Sequence, residues 1–298
     1  MKIFTSSQYQ LAANFIVTNA RPLEKALYLF EFADGNREDV IRELQKFQND
    51  DGGFGHGLEP DFRTENSSAL ASSVAMQILS KIGAEDHLEI VQNAIRYFIN
   101  SYDKNTYGWE KVPKAVEEAP RAPWWNYQEP REDWGNPNAE ILGYFYDYQP
   151  LVPASLLAEL TEYAIRYFNR LETFEFHEIL SFLRLADRLP ESIYQQIEEK
   201  IIQALHECVT TDSQKWEEYC LQPIQVVDSP ESKYYRLFKA FLSENLHYIS
   251  TKQNPNGSWS PTWSWFGQFE DTWKQAKLEW EGNITLQHLL LFRNFALI

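Results

Sequence analysis

An all-α chain, built as a repeat of about six helix pairs, is what this sequence predicts. Apolar residues recur at three- and four-residue spacing, stretches that alternate in the strand manner are scarce, and one turn motif returns along the chain. One or two helices are expected between residues 7 and 32. Residues 37–48 follow, with Val40, Ile41, Leu44 and Phe47 as their apolar stripe. Residues 66–82 open on Ser67, Ser68, Ala69, Ala71, Ser72, Ser73 and Ala75, small enough to let helices approach closely, before Met76, Ile78 and Leu79. Further helices are expected over 87–102, 139–148, 154–171, 177–189, 193–208, 233–251 and 282–295, about eleven or twelve in all.

The recurring turn runs Gln48-Asn49-Asp50-Asp51-Gly52-Gly53-Phe54, and again, about 205 residues later, Gln253-Asn254-Pro255-Asn256-Gly257-Ser258-Trp259. A degenerate copy ends Asn105-Thr106-Tyr107-Gly108-Trp109. Each reads as a helix stopped by a glycine turn, with the aromatic folded back onto the helix end and the glutamine bonding freed backbone groups. At about 50 residues per pair, 298 residues hold about six pairs. A prior of about 150 residues per domain suggests two domains, but this periodicity favours one continuous domain over 1–298.

These turns resemble the QW motifs of the terpenoid cyclase and protein prenyltransferase superfamily, typified by squalene-hopene cyclase. The resemblance implies an (α/α)6 toroid of six inner and six outer helices. The stretch 52–68 is also similar to uncharacterised bacterial proteins. Pectate lyases and other carbohydrate-active enzymes use α/α toroids too, so the fold does not choose the substrate.

Composition narrows the classes. Lys plus Arg number 27 against 43 Asp plus Glu, a formal charge of −16, which argues against a nucleic-acid groove. Hydrophobic residues at 44% and charged residues at 23% are those of a globular chain, whereas 15% aromatic exceeds what an ordinary core requires. Cys208 and Cys220 make neither a disulfide framework nor a C-x-x-C zinc pair, so a reducing, cytoplasmic compartment is expected. The first ten residues carry no apolar signal stretch, and no run nears the roughly 20 apolar residues of a membrane span.

The densest polar constellation is Gly55-His56-Gly57-Leu58-Glu59-Pro60-Asp61-Phe62-Arg63-Thr64. Glu59 and Asp61, one residue apart, bias each other's protonation and with His56 form a candidate general acid and base; Arg63 pairs with a carboxylate or holds an anionic substrate. The competing reading is a loop stapled by Arg63, with His56 bonded to a carbonyl. Class II terpene cyclases protonate substrate from Asp-x-Asp-Asp, which Glu59-Pro60-Asp61-Phe62 matches only in part. No Asp-Asp-x-x-Asp motif, H-x-x-x-H pair, phosphate-loop pattern or prenyltransferase zinc set is present, so neither metal nor cofactor is expected.

A second cluster holds Trp124 and Trp125 in a Pro-rich loop, Asn136 or Asn138 as a candidate helix cap, and Glu140 as a partner carboxylate one turn into the helix. The two tryptophans either wall a ligand pocket or anchor the loop. A third cluster places Trp263, Trp265 and Trp280 after the second strong turn, again as candidate ligand walls. The expected partner is a small molecule. An isoprenoid cyclised by acid comes first; a glycan cut by a hydrolase or lyase using Glu59, Asp61 and Glu140 comes second, and a non-catalytic binding module third.

Overall fold

A computed structural model describes residues 3–128 and 133–298, and over these residues the chain is all-α, with thirteen α-helices, four short 3-10 turns and only isolated β-bridges. It divides into two compact units, Met1–Glu43 with Val209–Ile298, and Leu44–Cys208. Helix α3 (Arg37–Gln45) crosses from the first into the second. Among the described residues no helix is long and apolar enough to cross a membrane.

The first unit holds α1 (Ser6–Asn19), α2 (Pro22–Phe32), α11 (Pro223–Val226), α12 (Tyr235–Thr251) and α13 (Glu270–Asn294). Thr5 opens α1 with a reciprocal cap: its hydroxyl accepts from Gln8 N–H at 3.2 Å while Gln8 Oε1 accepts from Thr5 N–H at 3.0 Å. Helix α13 lies on α1 and α2, where a side chain at Gly282 would come within 2.8 Å of Ala20 Cβ. Phe4 stacks on Phe292 at 4.1 Å and tilts against Trp259 at 6.1 Å, joining chain start and chain end in one core.

The second unit holds α4 (Ala69–Lys81), α5 (Glu89–Ser101), α6 (Gly135–Asp147), α7 (Ala154–Arg170), α8 (Phe176–Ala186), α9 (Glu191–Tyr194) and α10 (Glu198–Cys208). Helix α6 is its spine, buried at nearly every position to Phe145 and packed chiefly on α8, then on α4 and α7. The small residues of α4 are buried, so this close packing is what they serve. Trp109 wedges edge-on between Phe98 and Phe145 at 5.8 and 5.7 Å.

Expected and observed helices differ most at α13, which begins at Glu270 rather than 282. Of residues 270–281 only Ala276 and Glu279 are buried, so this polar stretch carries no apolar stripe to read. The expected 193–208 helix is split into α9 and α10. Helix α6 is bounded at Gly135, but Asn136 keeps extended backbone (φ −102°, ψ 112°) just before Pro137, the geometry of a helix cap, whereas Asn138 lies inside the helix and its Oδ1 accepts from Trp109 N–H at 3.2 Å.

The two strong turns are congruent, atom for atom, within their own units. Gln48 Nε2 donates to Gly52 O and Ile90 O at 2.9 and 3.1 Å; Gln253 Nε2 donates to Gly257 O and Gln8 O at 3.0 and 2.9 Å. Asn49 N–H reaches Gly53 O, and Asn254 N–H reaches Ser258 O, both at 2.8 Å. Gly52 (φ +91°) and Gly257 (φ +95°) are left-handed, and a Cβ on either would sit 2.3 Å from a helix carbonyl, Asn93 O or Leu11 O. Only glycine meets both demands. Each turn thus seats on the first turns of a helix, α5 or α1. The following aromatic is held alike: Phe54 and Trp259 donate their backbone N–H to Ser72 Oγ (2.9 Å, α4) and Thr285 Oγ1 (3.2 Å, α13). The degenerate copy keeps this last device, with Trp109 N–H on Asn138.

Candidate functional site

The loop 55–64 is folded over by Leu58 N–H to Gly55 O at 3.1 Å and His56 N–H to Thr64 O at 3.0 Å. It turns Glu59 and Asp61 inward: both are buried, at 8% and 3% exposure. Asp61 N–H donates to Glu59 Oε2 at 2.6 Å. Burial first, and the charge of Asp61 second, raise the Glu59 carboxyl well above the usual carboxylate range, against hydrogen-bond donors at Asp61, Trp125 and Phe62 that favour its charged form. Glu59 therefore holds its proton to higher pH than an exposed glutamate, beside a second carboxyl group.

A strap over 113–127 covers this loop. Arg63 N–H donates to Pro120 O at 3.0 Å, and Ala122 N–H to Asp61 O at 2.7 Å. Arg121 knots the strap internally: Nη1 reaches Val116 O, Glu117 O and Ala119 O at 3.3, 3.1 and 3.1 Å, Nε reaches Asn126 Oδ1 at 2.8 Å, and the guanidinium pairs with the Glu117 carboxylate. The strap lays Trp125 edge-on against Phe62, at 5.6 Å and 67°. Its indole Nε1 is buried and makes no hydrogen bond of ordinary geometry among the described residues, although it is close enough to bear on Glu59.

The remaining expected site residues fall as follows. His56 is exposed, left-handed at φ +55°, with Nε2 2.8 Å from Asn49 Oδ1; it faces the repeat turn. Arg63 donates from Nη1 to Pro60 O at 3.3 Å, a contact that fits the stapled-loop reading as well as the catalytic one. Trp124 is 38% exposed. Asn136 is half-buried at the irregular start of α6. Glu140 is buried and engaged, accepting from Tyr144 OH at 2.5 Å and Arg184 Nη1 at 2.9 Å, while Arg188 lies over the Tyr144 ring.

The third cluster belongs to the other unit. Trp263 meets Trp280 edge-on at 5.1 Å and Tyr219 at 5.9 Å, both contacts half-open to solvent on the Trp263 side. Trp265 is fully buried against Trp273 at 5.6 Å. Phe266, beside it, is 76% exposed and left-handed at φ +52°.

Sequence reasoning missed Glu178 and Lys111. Buried Glu178 accepts from Gly135 N–H and Tyr167 OH, each at 2.7 Å, and burial raises its carboxyl above the usual range. Tyr167 also lines a surface cleft of about 390 Å³ with Tyr163, Arg166, Arg170 and Leu171. Buried Lys111 pairs with Asp133. An acidic residue in a first helical turn reads as an ordinary helix-dipole partner, so nothing in the sequence marks Glu178. Among the described residues no three His, Cys, Asp or Glu side chains are grouped as a metal ion requires. Set against family models, curated proteins and solved structures, the chain matches none.

Proposed function

We propose that this chain is an acid-initiating enzyme of the terpenoid-cyclase kind, in which Glu59 protonates an apolar isoprenoid. The observation that carries the reading is the buried Glu59–Asp61 pair, with the Glu59 carboxyl raised above the usual range and the Phe62 and Trp125 rings packed together in its loop and strap. A raised pKa holds the proton on Glu59 to higher pH, and it also makes Glu59 the weaker acid. Transfer to an alkene therefore depends on stabilising both products. The C=C electron pair takes the proton to form a C–H bond; the cation left on the neighbouring carbon is met by aromatic faces, and the glutamate by the Asp61 N–H. Loss of a proton from the cation, or capture by water, ends the reaction, and solvent returns a proton to Glu59.

The proposal includes the ring. Two congruent turns, each seated on the start of a helix, with the second seated on the chain's first helix, support an (α/α)6 toroid closed as one domain over 1–298. Two free cysteines favour a cytoplasmic setting. The glycan reading ranks second because it asks Glu140 to act as acid or base, and that carboxylate is engaged by Arg184 and Tyr144.

Incubation with C15 to C35 isoprenoids, followed by product analysis, tests the reading. Wild type should yield a cyclised product, and folded Glu59→Gln and Asp61→Asn variants should not. A folded wild type that cyclises none of them overturns it.

A further inference from the structure

We propose that Trp125 is a positioning residue of the acid site, whose indole N–H is held ready for the negative charge that Glu59 acquires on giving up its proton. The inference rests on the acid-site reading above.

Four other tryptophans show what this chain does with a structural indole. Trp109 donates to Phe98 O at 2.7 Å, Trp134 to Tyr107 O at 2.9 Å, Trp216 to Thr210 O at 2.7 Å and Trp259 to Ile249 O at 2.7 Å. Trp125 departs from this habit, as Trp280 does in the other unit, but only Trp125 lies beside a loop that carries a buried carboxyl pair. The Trp125 Nε1 is equally shielded from solvent yet makes no such bond among the described residues. Indole nitrogen only donates, so a buried orphan of this kind is costly unless it gains an acceptor.

The position is built. Trp125 N–H closes a tight turn on Ala122 O at 3.0 Å, Ala122 is tied to Asp61, and the ring rests on Phe62, so three contacts fix the indole beside the loop that carries Glu59. The charged group acting on Glu59 is Asp61 on its own loop, while Arg121 and Glu117 on the strap pair with each other. Trp125 adds a neutral donor that favours the carboxylate without a net charge of its own. Catalytic hydrogen bonds are often loose before reaction and tighten as charge develops.

Protein labelled with ¹³C-glutamate and ¹⁵N-indole provides the test, read without substrate so that it stands apart from turnover. Trp125→Phe keeps the ring on Phe62 and removes the N–H. Glu59 should become about tenfold the weaker acid in this variant, while Trp124→Phe leaves it unchanged. The Trp125 N–H resonance should move over the pH range in which Glu59 ionises, and that movement should vanish in Glu59→Gln, a control that holds even where Trp125→Phe fails to fold. A Trp125 resonance indifferent to Glu59 ionisation, or an unchanged Glu59 titration in folded Trp125→Phe, overturns the proposal. A missing cyclase activity with the coupling intact would sink only the function proposed above.

Discussion

Replacing Glu59 by Gln should make the protein more stable at neutral and alkaline pH, and progressively less so on acidification. Glu59 binds its proton more tightly in the folded chain than in the unfolded one, because burial and the neighbouring Asp61 penalise the anion. The stability this group contributes is fully present below the ordinary carboxyl range and is lost as pH rises toward its raised folded value. Within that window the loss is about 1.4 kcal/mol per pH unit for one proton. At 8% and 3% exposure the pair leaves little solvent screening to discount. Gln keeps the shape and an oxygen able to accept the Asp61 N–H, but carries no charge to penalise. Urea unfolding of both proteins at half-unit steps from pH 4.5 to 8 gives the difference directly. The variant should gain on wild type as pH rises above the ordinary carboxyl range, by at most about 1.4 kcal/mol per pH unit. A difference that is flat across the series would refute the claim that the fold raises the Glu59 carboxyl.

Because the two strong turns share one geometry, Gln48→Ala and Gln253→Ala should each cost about 1–3 kcal/mol, two hydrogen bonds apiece, and by similar amounts in denaturant titrations. Gly52→Ala and Gly257→Ala should cost more than about 1 kcal/mol, since each combines a positive φ with a Cβ driven into a helix carbonyl; an unchanged thermal midpoint in either would contradict the turn's description. Glu140→Gln should destabilise by about 1–2 kcal/mol, discounted for the 39% exposure of Arg184, and leave the ¹³C titration of Glu59 untouched.

Much of this fold is legible in the sequence because helices with a buried stripe announce themselves. The α4 small residues, the α7 periodicity and the glycine turns all carry their structural cause locally. Residues 270–281 do not, since a charged helical stretch with two buried positions has no period to detect. The candidate site divides in the same way. Glu59 and Asp61 are neighbours in the chain, so their coupling can be read in advance. Glu140 and Arg184 are 44 positions apart, and only packing of α6 on α8 brings the guanidinium to that carboxylate. The tryptophans look alike in sequence but serve different ends: Trp265 is fully buried core, Trp124 is exposed, and Trp125 rests edge-on against Phe62 on a strap that Arg121 gathers. No local pattern separates these uses, because each is decided by which distant backbone segment passes above the ring.

The central claim, that Glu59 hands a proton to carbon, is tested most directly by turnover in D2O. Once exchanged, Glu59 carries deuterium, so the account predicts a cyclised isoprenoid holding one deuterium at the carbon that was protonated, and no such product from folded Glu59→Gln. A product free of deuterium, or the same labelled product from the variant, would contradict it.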